Sequence, residues 1–222
     1  PYRIYGGLRF YERLEIKNAI AYLKIIFNNK DNPSFERSIS NPTRGVGEKT
    51  LGKIRQAAKK FNISYIKASA KLIDEGSIGG RGGAGLKDYL EFIIGCKQFI
   101  EDNTLSELME LIIKESGLYA YHAKEAGEKG KTRTENLEEL ITATKNFEQS
   151  IKDEKTNAEI AESYLDVISL DSGDRQASEH DDAAQLMTMH SAKGLEFKLV
   201  LLTGLEESLF PHGRSMESAS QL

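Results

Sequence analysis

Ala184-Gln-Leu-Met-Thr-Met-His190-Ser-Ala-Lys193-Gly194-Leu-Glu196-Phe-Lys-Leu199-Val-Leu-Leu-Thr203 sets a short polar connection between two apolar runs. Two buried strands joined in this way point to the parallel sheet of an α/β domain. At the opposite end of the chain, Tyr2-Arg-Ile-Tyr5 alternates like a strand and stops at Gly6-Gly7. So few strands make no stable sheet by themselves. The two ends are therefore expected to share an α/β domain that is completed by chain outside this sequence.

The middle reads differently. Apolar residues recur at helical spacing in residues 11–28, 48–61, 65–74, 85–101, 105–116, 136–148 and 156–170. Val and Thr are sparse there, which argues against a sheet. The expected fold class is mainly α: a helical domain inserted into an incomplete α/β domain that supplies short terminal strands. The insertion spans residues 13–180, and residues 1–12 and 181–222 are its α/β flanks.

Composition narrows the class. The chain has 222 residues, 39% of them hydrophobic and 29% charged, within the ordinary soluble range. No run reaches the length of a membrane span, and nothing at the start resembles a signal peptide. Cys96 is the single cysteine, which excludes an internal disulfide and a thiolate zinc cluster and suits a reducing cytosol. His122, His180, His190 and His212 are scattered, and no metal site is expected.

The net charge of −4 conceals an asymmetry. Arg37, Arg44, Lys49, Lys53, Arg55, Lys59, Lys60 and Lys67 face one acid, Glu48, in the same stretch. Residues 148–182 hold eleven acids against Lys152, Lys155 and Arg175. The basic block is where an anionic partner would dock, or else it is a solvated helix surface.

Within that block lies Asn41-Pro-Thr-Arg44-Gly45-Val-Gly47-Glu-Lys49-Thr50-Leu51, directly before an amphipathic helix. Gly-x-Gly permits positive φ and close backbone approach. The following helix presents free amides and the positive end of its dipole to a phosphate, with Arg44 and Lys49 as mobile flanking cations. This is the layout of a helix–hairpin–helix element over about residues 41–62, which grips DNA without reading bases. The alternative is a glycine-assisted turn, and the surrounding cations favour the phosphate reading. A second glycine segment, residues 79–85, has no Gly-Lys-Ser/Thr and reads as a linker between helices, with phosphate contact by Arg81 the alternative.

The connection after Met187 crowds a hydroxyl, an imidazole, an ammonium and a carboxylate at the end of an expected strand. Ligands of open α/β sheets bind there, so Lys193 and Glu196 either share a crevice or form a weak surface ion pair.

Met187-Thr-Met-His-Ser-Ala-Lys-Gly-Leu-Glu-Phe197 closely resembles motif V of the UvrD/PcrA/Rep group of superfamily 1 DNA helicases. The likeness continues through Leu202-Thr-Gly-Leu-Glu-Glu-Ser-Leu-Phe-Pro-His212. Tyr2 to Lys17 resembles the passage from domain 2A into domain 2B, Asn41 to Leu51 the 2B hairpin, and Thr132-Arg-Thr-Glu-Asn-Leu-Glu-Glu-Leu140 a further family string. The resemblance implies a RecA-like 2A flank and a 2B insertion within an ATP-dependent 3′–5′ DNA helicase acting in repair or replication, with ATP and magnesium as cofactors. It implies single-stranded DNA contact by Thr188, His190 and His212, and nucleotide contact by Glu196, Lys193 and Gly194. Duplex contact would fall to Thr43, Arg44, Gly45, Gly47, Lys49 and Thr50. The implied partners are DNA, at a junction of single strand and duplex, and helicase domains 1A, 1B and the remainder of 2A, in the cytoplasm at the nucleoid.

The family's phosphate-loop lysine, magnesium-holding carboxylates and arginine motifs are not found in this sequence, and phosphoryl transfer needs them together. The isolated chain is therefore expected to hydrolyse no ATP. A non-enzymatic helical DNA-binding or docking module, and the helicase part of a helicase–nuclease, stand as alternatives.

Overall fold

The structure, a computed structural model, describes residues 2–5, 10–151, 156–171, 184–187, 192 and 194–203. The chain divides into two compact units, Pro1–Gly6 with Ala177–Leu222, and Gly7–Gln176.

In the first unit, β1 (Tyr2–Tyr5) pairs in parallel with β2 (Ala184–Met187), from Tyr2 opposite Ala184 to Tyr5 opposite Met187. The helical stretch thus falls between two neighbouring strands of one ladder. The expected strand at residues 199–203 does not form. Leu199 is 77% and Leu201 81% exposed, and no strand pairs with them among the described residues. An aliphatic run makes a strand only where a neighbour supplies the ladder's hydrogen bonds.

The second unit is mainly helical. A short 3-10 turn (Phe10–Glu12) leads into α1 (Leu14–Phe27). Then follow α2 (Asn32–Ser40), α3 (Glu48–Phe61), α4 (Tyr65–Asp74), α5 (Gly80–Asp102), α6 (Leu105–Glu115), α7 (Leu118–Ala123), α8 (Glu128–Ser150) and α9 (Asn157–Asp171). Helix α1 is the hub. Ten of its fourteen residues are buried, as expected of a helix surrounded by others, and it touches α2, α5, α6, α8 and α9. Ile16, Tyr22, Leu23 and Ile25 pack there with Phe35, Ile54, Leu86, Leu108 and Ile112. Each such side chain contributes roughly 1.5–3 kcal/mol on burial.

Local signals set the boundaries. Asp31 caps α2 through the Ser34 amide at 3.0 Å, with Pro33 in the first turn. Ser64 caps α4, and Asn62 closes α3 in the left-handed conformation. Thr104 and Glu107 form a reciprocal capping box on α6.

Buried charge is met by a polar chain across α1, α7 and α8. Asn136 Nδ2 donates to Glu15 Oε1 at 2.6 Å, and Arg133 lies 3.6 Å from Glu15 and 2.6 Å from Glu125. Glu125 in turn meets His122 Nδ1 at 2.7 Å. The His122 bond, and then Arg133, hold the Glu125 carboxyl below the usual carboxylate range.

The glycine segment at residues 79–85 is not a linker. Gly80 to Gly85 form the first turns of α5. A Cβ on Gly85 would lie 1.9 Å from the Arg44 carbonyl oxygen, and one on Gly82 would lie 3.1 Å from that of Gly45. The glycines are there because the hairpin backbone rests against this helix.

Candidate nucleic-acid interface

Helix α2 ends at Ser40, the hairpin occupies residues 41–47, and α3 begins at Glu48, which is a helix–hairpin–helix order. Gly45 has φ +73°, a conformation that favours glycine. Val46 is buried and pins the loop to the core. Gly47 is extended rather than left-handed, and a Cβ there would meet nothing within 4 Å. Its role is not conformational: it leaves the approach to α3 open.

No side chain caps α3. The Thr50 and Leu51 amides bond the Gly47 carbonyl at 2.9 and 3.0 Å, whereas those of Glu48 and Lys49 have no partner among the described residues. These are the unpaired donors that every helix start leaves. Glu48 itself is drawn to Arg55.

The basic block is sorted by the fold. Arg55 holds Glu36 in a two-point bridge at 2.6 and 2.7 Å and also bonds Glu48. Arg37 reaches Asn18 at 3.3 Å, and Lys53 donates to the Ser77 carbonyl at 2.8 Å. Lys49, Lys53 and Lys60 share one exposed face of α3, opposite the buried Leu51, Ile54 and Ala58.

Arg44 is not a mobile cation. Its Nη1 donates to the carbonyls of Ser38 at 3.2 Å and Pro42 at 3.0 Å, and its Nη2 to that of Ser116 at 2.7 Å. Its guanidinium also lies 5.5 Å from the centre of each of the Tyr22 and Tyr89 rings. Burial pushes both phenols well above the ordinary tyrosine value, so they stay neutral, and the cation is held by rings and carbonyls. The positions sequence reasoning offered with it fare differently: Thr43, Gly45, Gly47 and Lys49 are exposed, and Thr50 is half-buried beside them.

A second hairpin, passed over in the sequence, joins α4 to α5. Gly76 has φ +66°, Ile78 is buried and Gly79 is an extended N-cap, the order of Gly45, Val46 and Gly47 with one residue, Ser77, inserted. Its sequence signal is a branched aliphatic between two glycines at a helix start.

In the other unit, Gly194 has φ +85° and Leu195 N bonds the Ala192 carbonyl at 3.0 Å, forming a tight turn a few residues beyond the carboxyl end of β2. Glu196 follows, exposed and without a polar partner among the described residues. Thr188, His190, Lys193 and His212 lie outside the described residues. Cys96 is buried, its thiol pushed up to about 12 by burial, and has no reactive character. Among the described residues no helix is long and apolar enough to cross a membrane, and no cluster of His, Cys, Asp or Glu has the arrangement of a metal site.

Comparison with known proteins decides the family. The UvrD-like helicase C-terminal domain matches residues 1–76 and 88–222. The chain belongs to that family. Over 222 residues, all of this chain and 31% of the relative, it is 42% identical to DNA helicase II of Escherichia coli strain K12. It is 43% identical to DNA helicase II of Haemophilus influenzae over all of this chain and 30% of the relative. It is 34% identical to the ATP-dependent DNA helicase PcrA of Bacillus subtilis over all of this chain and 30% of that protein. The chain thus spans about a third of the length of the curated relatives it matches. The UvrD-like match skips residues 77–87, which include the glycine-rich start of α5.

Proposed function

We propose that this chain is the 2B insertion and adjoining 2A strands of an ATP-dependent 3′–5′ DNA helicase of the UvrD/PcrA type, acting in the cytoplasm at the nucleoid. The observation that carries the reading is the α2–α3 hairpin. It presents helix-start amides that have no partner among the described residues beside an exposed lysine face, on a loop that a half-buried arginine holds in place. Such a surface grips phosphates without reading bases. Thr43, Gly45, Gly47, Lys49 and Thr50 are the duplex contacts in this reading, with Arg44 behind them.

The 2A part is assigned the nucleotide and the single strand. Glu196, exposed and without a polar partner among the described residues, is assigned the ribose hydroxyls, and Lys193 and Gly194 are assigned to the nucleotide with it. Thr188, His190 and His212 are assigned to the single strand. ATP would supply its γ-phosphoryl group when bound. Glu196 is a carboxylate that could accept the ribose hydroxyls, and the described residues include no carboxylate cluster for magnesium. Magnesium and the phosphates are therefore assigned to domains 1A and 1B and the remainder of 2A, and the chain alone hydrolyses no ATP.

A chimera tests the reading: E. coli DNA helicase II with its matching segment replaced by this chain. DNA-stimulated ATPase should persist, and Glu196→Ala should reduce it at least tenfold with an unchanged thermal midpoint. An unchanged ATPase in the variant refutes the nucleotide assignment. A folded chimera that no longer binds duplex refutes the hairpin reading.

A further inference from the structure

The two arginines nearest the hairpin have exchanged the roles that their sequence positions suggest. Arg44 lies inside the hairpin string, yet its guanidinium is turned inward onto three carbonyls and two aromatic rings. Arg81 lies in the glycine segment of α5, far along the chain, yet its side chain runs across Gly45. Its Cγ, Cδ and Nε are 3.0, 3.4 and 3.5 Å from the position a Gly45 Cβ would take. Arg81 is exposed and has no hydrogen-bond or ion-pair partner among the described residues. The missing Cβ of Gly45 makes room for the Arg81 stem, and the missing Cβ of Gly82 brings α5 against the Gly45 carbonyl and the Thr50 hydroxyl.

We propose that Arg81 is the arginine that meets the DNA backbone at this hairpin, and that Arg44 is a positioning residue that fixes the loop beneath it. This deepens the duplex-contact reading and rests on it. A guanidinium with all its N–H groups free suits a phosphate, which it can engage at two points. Arg44 has already given N–H bonds to three carbonyls, and turning it outward would leave those carbonyls and its cavity unfilled. The hairpin is thereby coupled to the end of α6 at Ser116, and the phosphate contact is shared between α3 and α5.

The test is a salt titration of duplex binding by the 222-residue chain, comparing Lys49→Ala, Arg81→Ala and Arg44→Lys with the parent. Lys49→Ala tests the hairpin reading itself and should lower the log–log salt slope by about 0.9. Arg81→Ala should lower the slope by a similar amount, about 0.9, and weaken unrelated duplex sequences by the same factor, about threefold to tenfold. Arg44→Lys keeps the charge but not the three-carbonyl geometry. It should weaken binding while leaving the slope unchanged, with a lower thermal midpoint.

If Lys49→Ala and Arg81→Ala both leave binding untouched, the hairpin reading fails and the proposal with it. If Lys49→Ala acts and Arg81→Ala does not, the role of Arg81 is refuted and the hairpin stands. A slope lowered by Arg44→Lys, or binding unaffected by it, refutes the positioning role. Should Arg44→Lys fail to fold, Arg81→Ala alone still decides the contact.

Discussion

Helix α5 offers one substitution at two places with opposite expected outcomes. Gly85 and Gly95 both lie within the helix, where alanine is intrinsically better than glycine by roughly 0.8–1.0 kcal/mol. At Gly95 a Cβ meets nothing within 4 Å and the residue is exposed, so Gly95→Ala should realise most of that gain, about 0.5–1 kcal/mol. At Gly85 the Cβ would lie 1.9 Å from the Arg44 carbonyl oxygen and 3.1 Å from the Arg44 Cβ. The obstacle is backbone, tied down by the bonds of the Arg44 side chain, so it cannot rotate away. The hairpin must shift by more than 1 Å to restore an ordinary contact of about 3.5–4.0 Å.

Forcing extra carbon into a packed site typically costs about 1–3 kcal/mol, and a backbone clash belongs at the upper end. Less the helical gain, Gly85→Ala should lose about 1–2 kcal/mol. For a unit of this size each kcal/mol moves the melting midpoint by about 2–4 °C. Thermal unfolding should thus show a fall of about 2–8 °C for Gly85→Ala and a rise of about 1–4 °C for Gly95→Ala. Duplex affinity should fall only in the first, because the hairpin has moved. If Gly85→Ala is as stable as Gly95→Ala, the hairpin does not rest on α5 as described.

Thr104→Ala removes the hydroxyl of the capping box and should cost about 1 kcal/mol in urea unfolding at neutral pH. The Thr104 amide, and then its hydroxyl, hold the Glu107 carboxyl below the usual range. That contribution is complete above the ordinary Glu value of about 4.3 and is lost as pH falls through the lower folded value. An acid titration should therefore show less loss below pH 4 in Thr104→Ala than in the parent. Glu15 is 4% exposed and bonded to Asn136, with Arg133 nearby, so Glu15→Ala leaves buried donors unmatched. It should cost about 2–4 kcal/mol in the same assay, and a loss below 1 would show that the polar chain carries little.

Where the chain's own periodicity and caps act alone, the sequence was readable. Residues 48–61 and 65–74 are helical to the residue, each beginning after a Gly or Ser in extended conformation. Helix α2 was not among the expected helices, although Asp31 followed by Pro33 is a plain start signal, because its nine residues hold only two apolar core positions, Phe35 and Ile39. Boundaries shifted where packing outweighs local preference. Helix α8 starts at Glu128, well before residue 136, because its first turns bury Gly130 and Thr134 rather than an apolar stripe. A Cβ on Gly130 would lie 2.4 Å from the Glu125 carbonyl oxygen, so the glycine is chosen by a neighbour that no periodicity reveals. The same holds for Gly82 and Gly85, whose helical cost made α5 look shorter than it is. The hairpin was legible as glycine and charge, but the direction of Arg44 depends on carbonyls at Ser38 and, remote in sequence, Ser116.

That sorting follows the chemistry of the two cations. A guanidinium offers five donors in a rigid plane and is weakly hydrated, so it can be drawn into a fold wherever carbonyls, carboxylates and rings converge. Arg44 does this with carbonyls and tyrosines, Arg55 with Glu36 and Glu48, and Arg133 with Glu125 and Glu15. An ammonium is a strongly hydrated point charge on a flexible stem and gains less from such capture. In the basic stretch the lysines accordingly stay on the surface, and three of them line one face of α3. Eight cations counted along residues 37–67 therefore do not make eight phosphate contacts. A duplex lying along the Lys49, Lys53 and Lys60 face, with Arg81 added at the hairpin, would neutralise four phosphates. Its log–log salt slope would then be near −3.6, against about −7 if every cation in the block took part.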